Sequence, residues 1–167
     1  GGLDVNATTA GTGDITFKTN IGTSGGNNKG VVGTTSIGTG TGASTDTENV
    51  HFLGTFYGFD GGVTTIAADP TVGSASDNDE NIEVGSGSAV TFKADTDALT
   101  FVGGKLDLAN GSNLTINTSN GNVTVTGVAG HSDETVTIEA GTGSITIGAI
   151  GDSSHAQIHE VDLDGGG

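Results

Sequence analysis

The sequence predicts an all-β protein, a parallel β-solenoid with coils of about 22 residues, and three observations carry that expectation. The first is composition. Gly supplies 32 of the 167 residues and Thr 27, only 4% are aromatic, and helix formers other than Ala are scarce. β-Branched side chains suit a pleated surface, whereas Gly weakens helices. The second is a repeat. Residues 114–129 (LTINTSNGNVTVTGVA) and 136–151 (VTIEAGTGSITIGAIG) superimpose without a gap at a shift of 22 positions. The third is turn chemistry. Each unit holds two short alternating strands joined by Ser119-Asn120-Gly121-Asn122 or by Gly141-Thr142-Gly143-Ser144. Asn-Gly and Gly-x-Gly turns supply the positive φ of tight reversals. A β-sandwich is the alternative all-β arrangement.

Taken along the chain, the elements run as follows. Leu3-Asp4-Val5 is an apolar-polar-apolar strand phrase, and residues 10–17 (AGTGDITF) repeat 140–147 (AGTGSITI). Residues 19–48 form an irregular, low-complexity Gly/Thr segment whose large apolar anchors are Ile21, Val31, Val32 and Ile37. It reads equally as a long loop, as coils built from small side chains, or as an excursion ordered by a neighbouring subunit. Residues 50–59 then gather Phe52, Phe56, Tyr57 and Phe59. Such a cluster is ordinary core, or else an end cap or subunit joint, because solenoid ends expose edge strands that need covering. Ser88-Ala89-Val90-Thr91-Phe92 is a weaker copy of the turn-apolar-Thr-apolar kernel, and residues 110–164 carry the clearest repeat. One such unit cannot bury its apolar side alone. Stacked copies about 4.8 Å apart can, with Ile116, Val123, Val125, Ile138, Ile145 and Ile147 pointing inward. The length fits a single β domain over residues 1–167.

The formal charge of −16 comes from missing bases, four Lys and no Arg, more than from an excess of acids. Nucleic-acid binding is excluded as an expectation because phosphate contacts draw on clustered Lys and Arg. No apolar run approaches the ~20 residues of a membrane helix, so membrane insertion is not expected. There is no Cys for disulfides, thiolate metal sites or nucleophiles. Ca²⁺ is the one candidate cofactor. Carboxylates at Asp77, Asp79 and Glu80, and at Asp162 and Asp164, are spaced closely enough to chelate it. They match neither an EF-hand nor a calcium β-roll, and a solvated acidic loop is the simpler explanation.

Catalytic signatures are missing. There is no Gly-x-Ser-x-Gly elbow, Walker loop or His-Glu-x-x-His. His155 and His159 lie four apart in an alternating, strand-like stretch, which separates them by ~13 Å, too far to share a metal. His51 and His131 stand beside turn-like residues and read as exposed. Polysaccharide-processing solenoids need paired carboxylates, which this chain has. It offers no Trp, no Arg and one Tyr for a sugar cleft, so the expectation is a protein that is not an enzyme.

The kernel Ala140-Gly141-Thr142-Gly143-Ser144-Ile145-Thr146-Ile147, with its copy at 10–17, resembles the repeats of filamentous-haemagglutinin-like and autotransporter-like bacterial surface adhesins. The resemblance covers 110–164 and 3–22. It implies export, a right-handed parallel β-helix and a stalk, fibre or matrix role at the cell surface, with no active site to transfer. The chain is therefore expected to be a non-catalytic extracellular structural protein whose main partner is itself, as a homopolymer. Leu3, Val5, Val161 and Leu163 at the two terminal strand phrases, with the aromatics at 52, 56, 57 and 59, are the candidate assembly residues. The alternative is a surface-binding module for glycans or ice. Rows such as Thr124/Thr126 and Thr135/Thr137 could form its face, although Gly148 interrupts the row on the next copy.

Overall fold

The computed structural model describes residues 1–6, 13–24, 30–39, 47–68, 81–151 and 156–166. All regular structure among them is extended. The fourteen strands are β1 (Leu3–Val5), β2 (Gly13–Phe17), β3 (Thr35–Ile37), β4 (Thr47–Phe52), β5 (Phe56–Gly58), β6 (Thr64–Ala67) and β7 (Asn81–Val84), followed by β8 (Val90–Lys93), β9 (Leu99–Val102), β10 (Lys105–Leu108), β11 (Leu114–Asn117), β12 (Val123–Gly141), β13 (Ile145–Ile150) and β14 (Ala156–Gly165). They form one nearly closed hydrogen-bonded sheet.

Every strand pair among the described residues is parallel, which an antiparallel sandwich could not produce. The registers join into three ladders, each six residues deep. The first is Leu3, Thr35, Thr64, Leu99, Val123, Ile145. The second is Ile15, Val50, Ile82, Leu106, Val128, Ile150. The third is Ile21, Tyr57, Phe92, Ile116, Ile138, Leu163.

These ladder residues are inward-facing because strands alternate, and the alternation of Val, Ile, Leu and Phe with Thr places apolar groups on one side only. Ile116, Val123, Val125 and Ile138 are fully or almost fully buried, while Ile145 and Ile147 are half-buried and packed on the same core. The early rungs are filled by a chain of rings. Phe17 stacks on Phe52 at 5.1 Å, Phe52 meets Phe92 edge-on at 5.0 Å, and Phe92 meets Phe101 at 5.2 Å. Tyr57 lies beside Phe52 and Phe92, and its hydroxyl oxygen accepts the Gly54 N–H at 2.6 Å.

The 22-position spacing holds from Leu114 to Val136 and from Val123 to Ile145, but not upstream. Partners there lie 32 apart (Leu3 to Thr35), 36 apart (Ile21 to Tyr57) and 35 apart (Thr64 to Leu99). Most of the extra residues fall between the first and second ladders, and a further insertion lies between the third and the first, where 14 positions separate Ile21 from Thr35 against 7 from Ile138 to Ile145. Three positions carry the chain from Val125 to Val128, whereas sixteen carry it from Ile66 to Ile82. The Gly/Thr segment at 19–48 accordingly contributes β3 and two single bridges, Ile21 to Tyr57 and Val31 to Phe59. Its residues 25–29 and 40–46 lie outside the described set.

The copy of the kernel at 10–17 turns out not to be equivalent to 140–147. Ile15 belongs to the second ladder and Ile145 to the first, while Phe92 of the third copy belongs to the third. The kernel marks a strand of the sheet rather than one face or one place in a repeat.

Candidate functional site

The turns between ladders are tied from rung to rung by Asn side chains. Asn113 Oδ1 accepts the Thr135 N–H (2.9 Å), Asn120 Oδ1 the Thr142 N–H (3.2 Å), and Asn122 Oδ1 the Ser144 N–H (3.0 Å). Asn20 Oδ1 likewise accepts from Thr55 (2.7 Å) and Phe56 (3.1 Å). Each amide satisfies a backbone donor of the following rung that the bend would otherwise orphan.

At one bend the acceptor is a carboxylate. Glu134 is 1% exposed and sits at a β-bulge in β12. Its oxygens accept the N–H groups of Gly111 (2.8 Å), His131 (2.7 Å) and Ser132 (2.7 Å). Burial alone would raise its pKa, but these donors more than reverse that and bring it from 4.5 to about 2. Nothing in the sequence singled it out, because a lone Glu within Ser132-Asp133-Glu134-Thr135 looks like a solvated loop.

Beside this bend lies a polar hollow on the surface. The outward positions flanking the second ladder run Thr16, His51, Glu83, Asp107, Ala129 on successive strands. The His51 ring bridges two carboxylates, with Nδ1 on Glu83 and Nε2 3.5 Å from Asp14 Oδ2. Asn49 Nδ2 donates to the same Asp14 at 3.2 Å. Next to it a shallow hollow of about 280 Å³ is lined by Glu83, Gly85, Asp107, Ala109, Asn110 and His131. His131 Nδ1 pairs with the Leu108 carbonyl at 3.0 Å. His51 is half-buried between its two carboxylates rather than exposed, whereas His131 is exposed as the sequence suggested while its ring holds the Leu108 carbonyl. The signal was the column itself, which becomes visible only once strands 24 to 35 positions apart are laid side by side. Chemically the hollow offers carboxylate and amide acceptors to hydroxyl groups, with no Phe, Tyr or Trp in its lining.

The expected Ca²⁺ and assembly residues are placed as follows. Asp77, Asp79 and Glu80 lie outside the described residues. Asp162 and Asp164 are exposed on β14, and among the described residues no group of three His, Asp or Glu is arranged to hold a metal. Phe52, Tyr57 and Phe59 are 0% exposed and Phe56 6%. Phe52, Tyr57 and Phe59 belong to the core and Phe56 is buried outside that cluster, so none of the four presents an open surface in the single chain. Leu3, Val5 and Val161 are half-buried, and Leu163 is 45% exposed. The Thr row also ends for a steric reason. A Cβ on Gly148 would lie 1.9 Å from the Thr126 carbonyl oxygen, so no Thr fits there.

No protein-family model matches the chain, and no curated protein and no solved structure shows significant similarity to it.

Proposed function

We propose that this chain is a non-catalytic structural protein of the cell surface, a short parallel β-solenoid that stacks on copies of itself into a filament, sheath or matrix, or serves as a length of adhesin stalk. Six rungs at about 4.8 Å give a rod roughly 29 Å long. Its coils are about 22 residues at the C-terminal end and wider at the N-terminal end, where insertions enlarge two bends. The adhesin resemblance and the surface without Arg or Cys support an exported location.

One observation carries the proposal. The apolar side chains that are packed on the core yet only half covered are Leu3, Val5, Phe17, Ile21 and Val31 at one end, and Ile145, Ile147, Ile158 and Val161 at the other. Among the described residues, the apolar side chains packed on the core between the ends are buried, while Leu53 and Val63 stand on the outer face. Half-covered core side chains at the first and last rungs are what a stack leaves when its next unit is absent. Sedimentation velocity over a hundredfold concentration range, followed by negative-stain microscopy, tests this. Growing linear species support the proposal, and a monomer at every concentration overturns it.

The hollow at Glu83, Asp107, Asn110 and His131 favours a second reading, a glycan-binding face, since acceptor-rich concavities suit sugar hydroxyls. Oligosaccharide titration by NMR would place shifts on those residues; shifts elsewhere, or none, would remove it.

A further inference from the structure

Resting on the rod reading above, we propose that the two ends join head to tail in one defined register. Leu3 of an incoming copy sits over Ile145, Val5 over Ile147, Ile15 over Ile150 and Ile21 over Leu163. Each pair is the first and last member of one ladder, or its neighbour two places along, so the contact continues rungs the chain already builds. Among the described residues β1 pairs only with β3, β2 only with β4, and β13 and β14 only with β12. Their outer edges therefore keep backbone donors and acceptors for a further strand.

Apolar surface matches on both sides. Ile150 is 51% and Leu163 45% exposed, and a hollow of about 300 Å³ opens between Ser144, Ile145, Leu163 and Gly165 at the C-terminal end. In this register Leu3 and Ile21 stand over Ile145 and Leu163, the two apolar side chains that line it.

Charge selects the orientation. Head to tail, Asp4 falls on Thr146, Asp14 on Ala149, Asn20 on Asp162 and Gly22 on Asp164, so no two like charges face each other. Two C-terminal ends meeting would instead set the exposed Glu160, Asp162 and Asp164 against their own copies. Asp162 also holds the ladder place of Asn20, whose Oδ1 takes the Thr55 and Phe56 N–H groups of the rung above. At the end of the rod that acceptor faces the Thr19 and Asn20 backbone of the next copy. A joint between unlike surfaces propagates as an open filament unless its rotation closes a ring.

The chain has no Cys, so engineered pairs report only the contact they span. Asp4 and Thr146 are exposed, outward-facing positions whose replacement leaves the core intact. Opposed residues on neighbouring parallel strands fall within the ~4.4–6.8 Å Cα separation of a disulfide. Asp4→Cys and Thr146→Cys variants, mixed under mild oxidation, are expected to form the mixed dimer at least ten times faster than either forms a homodimer. The double variant is expected to give a ladder of covalent oligomers. Equal homodimer rates, or equally fast coupling of Asp4→Cys to Ser144→Cys two residues away, would overturn the register while leaving the rod reading intact. A protein that sediments as a monomer and couples nowhere would overturn both.

Discussion

Replacing Glu134 with Gln tests whether the bend at 131–135 is held by a charge. The carboxylate gathers three backbone N–H groups at 2.7 to 2.8 Å and titrates at about 2 instead of 4.5. That difference corresponds to about 3 kcal/mol of stability at neutral pH. Because the folded-state value is the lower one, the contribution is complete above the unfolded value of 4.5 and disappears as pH falls toward 2. Urea denaturation of both proteins at pH 7, 5.5, 4 and 2.5 measures the gap between them. It should stand near 3 kcal/mol at pH 7, shrink below pH 4.5 and close near pH 2. Amide exchange at Gly111, His131 and Ser132 reads the same loss locally, as roughly a hundredfold drop in protection at pH 7. A gap that stays constant with pH would refute the reasoning, because the lost energy would then be packing and not charge.

Ile138→Ala, at a fully buried rung, should cost about 3 kcal/mol, whereas Leu163→Ala one rung further should cost under about 1 kcal/mol in the monomer; equal losses in thermal melts would deny that the stack ends there. Gly141 has φ 57°, and a Cβ would lie 1.8 Å from the Ser119 carbonyl oxygen, so Gly141→Ala should lower stability by about 2 kcal/mol or more, as read by chemical denaturation. Thr64 is fully buried and its hydroxyl has no partner among the described residues, so Thr64→Val should raise stability by about 1 kcal/mol; a loss would reveal a hydrogen bond that the fold conceals. Chelation of divalent cations should leave the monomer's Tm unchanged within about 1 °C, and a drop of several degrees would restore Ca²⁺ to the acidic segments.

The strands around 114–150 were legible because one rung there costs 22 positions with no insertion, so Leu114 and Val136, or Val123 and Ile145, could be aligned by eye. Upstream, insertions between Ile37 and Val50 and between Ile66 and Ile82 change the spacing without changing the ladders. A fixed-period search therefore loses them. The kernel at 10–17 misled for a related reason: turn-apolar-Thr-apolar satisfies any face of a parallel sheet, so local likeness does not fix which ladder a strand joins. Aromatic clustering at 52–59 signalled interior packing correctly, since Phe52, Tyr57 and Phe59 fill the wide early rungs. The Asp14–His51–Glu83 bridge and the Glu134 bend were invisible, because each depends on residues 23 to 37 positions apart meeting through register. The half-covered ends were partly legible, as the phrases Leu3-Asp4-Val5 and Val161-Asp162-Leu163.

Fibre diffraction or helical reconstruction of the concentrated protein tests the central claim, that this chain is one segment of a continuous stack of parallel strands. The account predicts a meridional spacing of about 4.8 Å within an axial repeat of roughly 29 Å, one chain per repeat. Particles with strands running along the long axis, or a repeat unrelated to six rungs, would contradict it.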